Sequence, residues 1–412
     1  MREWFGRAMT WARYHAVSAV VHQPRLLRFI ARTAQQQPWF ARIGKMVASR
    51  ADVVGTFDRP LAFSSTAHRP QLVAGDFMMG MESGPQHSAE RALLVSHLPK
   101  PGEFERCAVQ ESRKRIDALL AGPVRAFDLI DDYMVPVAWQ AIGGAFGAAL
   151  PTLAPGDPML LNLRYVGAHL IAGNVATEAV QARARRSAAE LNAWARQHMD
   201  QLYPLWSDGG KFSRDVVARN VVGMLWVGHP ATAQSGALIM QELLARRAEP
   251  AIKALIERVR THADPWNDPS LRNALKLHVL ELLRFRPPFP ILTRDVRRDT
   301  LYGADGKSRA QGGTTLTLMA IGAMFDPAAT GEPPDDYVPE RSSFHSEDDR
   351  FLLFGWGKRQ CPGRDPVVEI LAAALLGLLQ LPKLDWADPW WRRLRYDGPI
   401  ISSMRLKFRE KD

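Results

Sequence analysis

Near the C-terminal end, the stretch FLLFGWGKRQCPGRDP (351–366) sets one of the chain's two cysteines among glycines and basic residues. A disulfide would have to reach Cys107, which lies in the polar run EFERCAVQES with no export signal ahead of it, so the redox setting argues against one. Zinc is disfavoured too, because one cysteine with no CxxC or nearby CxxH cannot close a tetrahedral cage. A packed structural thiol and a thiolate bound to a cofactor metal are the readings that remain.

The spacing around Cys361 bears on that choice. Phe354, Gly357, Arg359, Cys361 and Gly363 form an FxxGxRxCxG pattern. A thiolate on haem iron needs a loop that offers sulfur to the metal, glycines that let the backbone come close, and N–H groups that tune the sulfur. Arg359 can pair with a haem propionate, and Phe354 can cover the sulfur side against water. This stretch resembles the haem-binding loop of the cytochrome P450 family.

Two further stretches carry the same resemblance. In HVLELLRFRPPFPILTR, Glu281 and Arg284 stand at i,i+3 on one helix face, where an ordinary surface ion pair would also fit. The pair precedes Cys361 by 80 residues and is followed by Arg341 in PERSSF. The resemblance makes Glu281, Arg284 and Arg341 a structural triad bracing the haem-side core. It also assigns Arg294, and the pair His87 and Arg91 in GMESGPQHSAERALL, to the propionates.

The long helix expected over the distal haem face departs from the family pattern. The resemblance calls for an acid and an alcohol there; RNVVGMLWVGHPATAQSGALIMQELL (219–244) offers Pro230-Ala231 in one register and His229-Pro230 in the other. Pro230 removes a backbone N–H in mid-helix. His229 is the candidate acid–base and Thr232 the candidate hydroxyl, against a His229 that faces a neighbouring helix and a Thr232 bonded to its own backbone.

The elements that must position these residues read as mainly α with a small β part. Helical patterns cover 87–97, 104–120, 125–149, 160–173, 175–203, 213–246, 249–262, 269–285 and 365–380. Strand-like pieces lie at 51–57, 291–302, 314–318 and 399–409. Pro-rich breaks (286–290 and 330–339) end elements without forming a linker, so one domain over 1–412 is expected, the P450 fold with a buried haem. With 412 residues and 46% hydrophobic content a large core is available. The N-terminal segment is interrupted by Arg7, Arg13, His15, His22, Arg25 and Arg28. It is expected to be neither signal peptide nor membrane anchor, and to pack as a helix on its own domain.

Apolar segments place Met78, Met79, Met81, Met224, Trp226, Ile291 and Leu292 as candidate cavity-lining residues. Core packing is the alternative for each. The resemblance implies a soluble, cytoplasmic, bacterial-type monooxygenase holding haem b through Cys361, its metal ligand, and oxidising a small apolar or aromatic substrate. The net charge of +10 suits an acidic ferredoxin or flavodoxin donor better than nucleic acid. Two alternatives stand beside it: a peroxide-driven or hydroperoxide-rearranging member of the same fold, and a haem sensor without turnover.

Overall fold

The computed structural model describes residues 2–64, 78–146, 157, 159–161, 163–165, 176–303, 308–330, 333–341 and 351–409, the side chains of 2–7, 79, 328 and 329 excepted. Among them the main helices are α1 (Arg2–Val21), α2 (Pro24–Gln36), α3 (Pro38–Ile43), α4 (Arg50–Phe57), α5 (Pro85–His97), α6 (Pro101–Ala121), α7 (Val135–Ala145), α8 (Glu178–Gln197), α9 (Met199–Trp206), α10 (Arg214–Ala245), α11 (Pro250–Thr261), α12 (Pro269–Phe285) and α13 (Arg364–Gln380). The strands are β1 (Met46–Val47), β2 (Phe63–Ser64), β3 (Ala126–Asp128), β4 (Leu292–Val296), β5 (Thr300–Tyr302), β6 (Ser308–Ala310), β7 (Thr315–Leu318), β8 (Asp385–Trp386), β9 (Arg395–Asp397), β10 (Ile400–Ser403) and β11 (Arg405–Lys407). The mainly helical expectation holds. No described helix is long and apolar enough to cross a membrane.

The larger core is a bundle in which α13 packs on α6 and α12, while α10 runs against α7, α8, α12 and α13. Helix α13 is buried on every side over Ile370–Leu379, because its run ILAAALLGLL has no polar face. Each fully buried leucine there contributes roughly 1.5–3 kcal/mol. Tyr133 crosses the bundle and donates its hydroxyl to the Ala374 carbonyl at 2.8 Å, so its polar tip is satisfied in the apolar interior. A second core lies between α2, α4 and the four-stranded sheet β1-β7-β4-β2. There β1 runs parallel to β7, and the other pairings are antiparallel.

Three expected elements differ. Residues 51–57, expected as strand, form α4: Ser49 accepts from the Asp52 N–H at 3.2 Å, and this N-cap outweighs the β-branched Val53-Val54. The helix expected from 125 starts ten residues later. Asp128 accepts from the N–H groups of Ile130 and Asp131 at 2.8 and 3.2 Å, forming a π-type turn between β3 and α7. The single helix expected over 175–203 is two, α8 and α9, parted at His198, whose ring nitrogen bonds the Trp194 carbonyl at 2.9 Å. Of the helix expected at 160–173, residues 159–161 and 163–165 are helical, and 166–175 lie outside the described residues.

Candidate haem site

Cys361 sits in a loop shaped by its own backbone. Gly355 and Gly357 take φ of 77° and 60°, a region other residues avoid. The Cys361 N–H then returns to the Phe354 carbonyl at 2.8 Å. Half-buried Phe354 is thereby held against the cysteine strand. Two residues on, Gly363 caps the N-terminus of α13, and its N–H bonds the Cys361 sulfur. Burial pushes the thiol up, while that N–H and the Arg91 guanidinium pull it down, the pattern of a sulfur that gains a nearby positive charge. Cys361 is nonetheless exposed. Its sulfur lies within electrostatic reach of the Arg91 guanidinium.

Of the expected propionate partners, His87, Arg91 and Arg359 come together near Cys361. His87 is buried and its imidazole is pushed down to about 4, by burial first and then by Arg359 and Arg91. Arg359 is lowered to about 10 by burial and by Arg91. Its Nε donates to Ser83 Oγ at 2.9 Å and its Nη2 to the Met81 carbonyl at 2.5 Å. Arg91 makes no hydrogen bond or ion pair among the described residues, and burial lowers it as well. Two guanidinium groups, Arg91 and Arg359, thus press on one another and keep the neighbouring His87 imidazole neutral beside a thiol, and an anionic group between them would relieve that repulsion. These residues fit a haem, whose propionates would supply the anions and whose iron would take the sulfur. Arg294, on β4, lies with its guanidinium 4.8 Å from the Phe57 ring centre and donates to the Thr293 carbonyl at 2.7 Å.

Glu281, Arg284 and Arg341 meet wholly inside the protein. Arg284 donates from Nε and Nη2 to the two Glu281 oxygens at 2.8 and 2.6 Å, and Arg341 Nε reaches Oε1 at 3.4 Å. The Val338 N–H adds a third donor to that oxygen at 3.0 Å. Carbonyls of Pro333, Pro334 and Asp336 accept from Arg284 Nη1 and Nη2 and from Arg341 Nη2, so the segment before Arg341 is pinned onto α12, while Arg341 Nη1 is buried without a partner among the described residues.

A helical chain with these geometries has known counterparts. A family model described as "Cytochrome P450" matches residues 165–365. Among solved structures, the chain is similar to the open cytochrome P450 EryK from S. erythraea (20% identity, 93% of this chain and 95% of that one, TM-score 0.72). It is also similar to CalO2 (23%, 88% and 90%, TM-score 0.69). Residues 165–365 thus match the cytochrome P450 family, and the described fold is that of its solved members. Members of this family carry a thiolate-ligated haem iron. Curated relatives include Cytochrome P450 71A12 from Arabidopsis thaliana, 26% identical over 62% of this chain and 49% of the relative. Strychnine-11-hydroxylase from Strychnos nux-vomica is 28% identical over 37% and 30%. The chain spans from under a third to about half the length of these two curated relatives.

The distal helix corrects the expectation for His229. Between residues 220 and 240 of α10 the half-buried positions are Met224, Val227, Gly228, Ala231 and Leu238. At ~3.6 residues per turn these share one side, and His229 lies on the opposite side. Its Nε2 bonds the Val135 carbonyl at 3.1 Å, and its ring meets Trp139 edge-on at 5.5 Å. It therefore faces α7 and holds no proton over the open side. Thr232 donates back to the Gly228 carbonyl at 2.7 Å, the ordinary behaviour of a helical threonine. Ala231 takes the open position.

Burial, partly offset by the Val135 bond, lowers the His229 imidazole from 6.5 to about 4. The unfolded chain then binds the proton more tightly than the native one. His229 thus costs nothing above about pH 6.5, and stability is lost as the pH falls from there towards 4. Between about pH 7 and about pH 5 this one group should remove about 2 kcal/mol of stability. That part should vanish in His229→Asn when urea unfolding is compared at the two pH values; an unchanged pH dependence would contradict the burial of a neutral ring.

The candidate cavity residues divide. Met78, Met81 and Trp226 are buried, Met78 and Trp226 within the larger core. Ile291 and Leu292 are half-buried against the sheet-side core. Met224 lies on the open stripe of α10, and the Met79 side chain is outside those described. A cavity of about 30 Å³ is instead lined by Val21, His22, Pro24, Pro230, Ala231, Gln234, Leu238, Arg286–Pro290, Pro399 and Ile401. The sequence reading named the segment 288–293 but missed the contribution of α1.

Proposed function

We propose that residues 1–412 form one haem-thiolate domain that inserts oxygen into a small apolar or aromatic substrate with electrons from an acidic ferredoxin- or flavodoxin-type donor. The observation that carries this reading is Arg91 beside Cys361, without a hydrogen-bond or ion-pair partner among the described residues, with His87 and Arg359 crowded against it. When bound, the haem supplies the redox and oxygen-activating chemistry. Cys361 holds the iron, with the Gly363 N–H moderating the charge on its sulfur. His87, Arg91 and Arg359 fix the propionates, and Arg294 joins them from β4. Exposed Lys358 stands beside Arg359 on the cysteine loop, where an acidic donor would dock.

The open stripe of α10 carries no carboxylate or hydroxyl among Met224, Val227, Gly228, Ala231 and Leu238. It positions an apolar substrate, while proton delivery falls to a water admitted beside it or to the substrate itself. The peroxide-driven alternative rested on His229 as an acid–base, and that ring is engaged with Val135. The donor-dependent route is therefore the reading adopted. Purified holoprotein given a ferredoxin, its reductase, NADPH and oxygen should oxidise members of a panel of small aromatic hydrocarbons. Product from hydrogen peroxide alone would overturn the donor-dependent reading, and reversible carbon monoxide binding without product from either route would favour a sensor.

A further inference from the structure

The N-terminal helix reaches the cavity on the α10 side through one polar side chain, His22. Its Nε2 lies 3.1 Å from the Gly398 carbonyl, and a carbonyl can only accept, so Nε2 carries the ring proton. The ring also rests on Tyr396 with centroids 3.7 Å apart. Gly398 turns the β9–β10 hairpin at φ 61°, and a Cβ there would overlap the Tyr14 ring. Tyr14 and His22 thus hold α1 on this hairpin, and His22 is set in place by contacts spanning 376 positions of sequence. Burial keeps the imidazole below its usual range, with Arg286 adding to that effect. The neutral ring therefore presents Nδ1 as a lone-pair acceptor, and Nδ1 has no hydrogen-bond partner among the described residues.

The remaining walls offer little that competes. Gln234 is satisfied at both ends by Ile401, donating to its carbonyl at 2.9 Å and accepting its N–H at 2.8 Å. Arg286 donates from Nε to Glu242 at 3.2 Å, which leaves its other N–H groups as donors. The rest are prolines, aliphatic side chains and Phe289. At about 30 Å³ the cavity takes one water-sized group. A hydroxyl suits both walls, giving its proton to His22 and accepting from Arg286.

We infer that His22 is a specificity-determining residue, whose Nδ1 selects apolar ligands ending in a hydroxyl over ligands of the same size that cannot donate a hydrogen bond. This rests on the proposed function, in which an apolar ligand occupies this side of α10. The test is calorimetric binding of 1-octanol and 1-fluorooctane to purified holoprotein, which requires no turnover. One hydrogen bond corresponds to a preference of about tenfold for the alcohol. It should disappear in His22→Phe, which retains a ring against Tyr396, while affinity for the fluoride is unchanged; His22→Gln, which retains an acceptor, should recover part of it. Equal preference in wild type and His22→Phe, with both probes displaced in Ala231→Trp, would overturn the role of His22 and leave the cavity reading standing. If wild type binds neither probe, or Ala231→Trp binds both as well as wild type does, the cavity reading fails and the inference with it.

Discussion

Glu281→Ala should lower the stability of the folded protein by roughly 3–5 kcal/mol, the usual result of removing one partner from a buried ion pair. The Arg284 and Arg341 side chains are 0% and 1% exposed, so neither charge can turn to water when the carboxylate is lost. Four donors fall vacant with it: two groups on Arg284, the Arg341 Nε and the Val338 N–H. The carbonyls of Pro333, Pro334 and Asp336 would still hold the two guanidinium groups, but carbonyls cannot neutralise them. Burial already depresses Arg284 despite the opposing pull of Glu281, so the site tolerates charge only because the carboxylate is present. Urea unfolding together with haem content after purification checks this. Full haem occupancy and an unchanged midpoint would show that the triad is not what braces α12 against the segment before Arg341.

What could be read from sequence follows how local each signal is. Glu281 and Arg284 are one helical turn apart, and the cysteine loop is ten consecutive positions, so type and spacing were enough to place them. The direction of His229 was not readable, because α10 is buried on nearly all sides and its sequence has no polar face to mark which side is open. The half-buried stripe through Met224 and Ala231 comes from packing against α7, α8, α12 and α13, not from any pattern within residues 219–244. The strand expected at 51–57 failed because two valines were weighed above the Ser49 cap. His22 could not be connected with Gly398 at all, since the contact crosses almost the full chain and neither residue belongs to a recognisable motif. The methionines of the segment 72–81 show the reverse error: apolar character was read as cavity lining, whereas Met78 and Met81 are packed inside.

The largest spectroscopic change should come from the sulfur. In the proposed reading Cys361 is where cofactor, fold and chemistry meet: its N–H fastens the loop to Phe354, its sulfur accepts from Gly363, and the Arg91 charge acts on it. Serine preserves the backbone bond and nearly the same volume, yet a hydroxyl does not ionise to the soft anion that a thiol does. Cys361→Ser should therefore fold, retain the Glu281 network, and change only the axial ligation of the iron. The measurement that bears most directly on the account is the absorption spectrum of the reduced carbon monoxide complex in wild type and Cys361→Ser. Thiolate donation to the iron should place the wild-type Soret band near roughly 450 nm and abolish that band in the variant. A wild-type protein with full haem content but no such band, or a variant that keeps it, would contradict Cys361 as the proximal ligand.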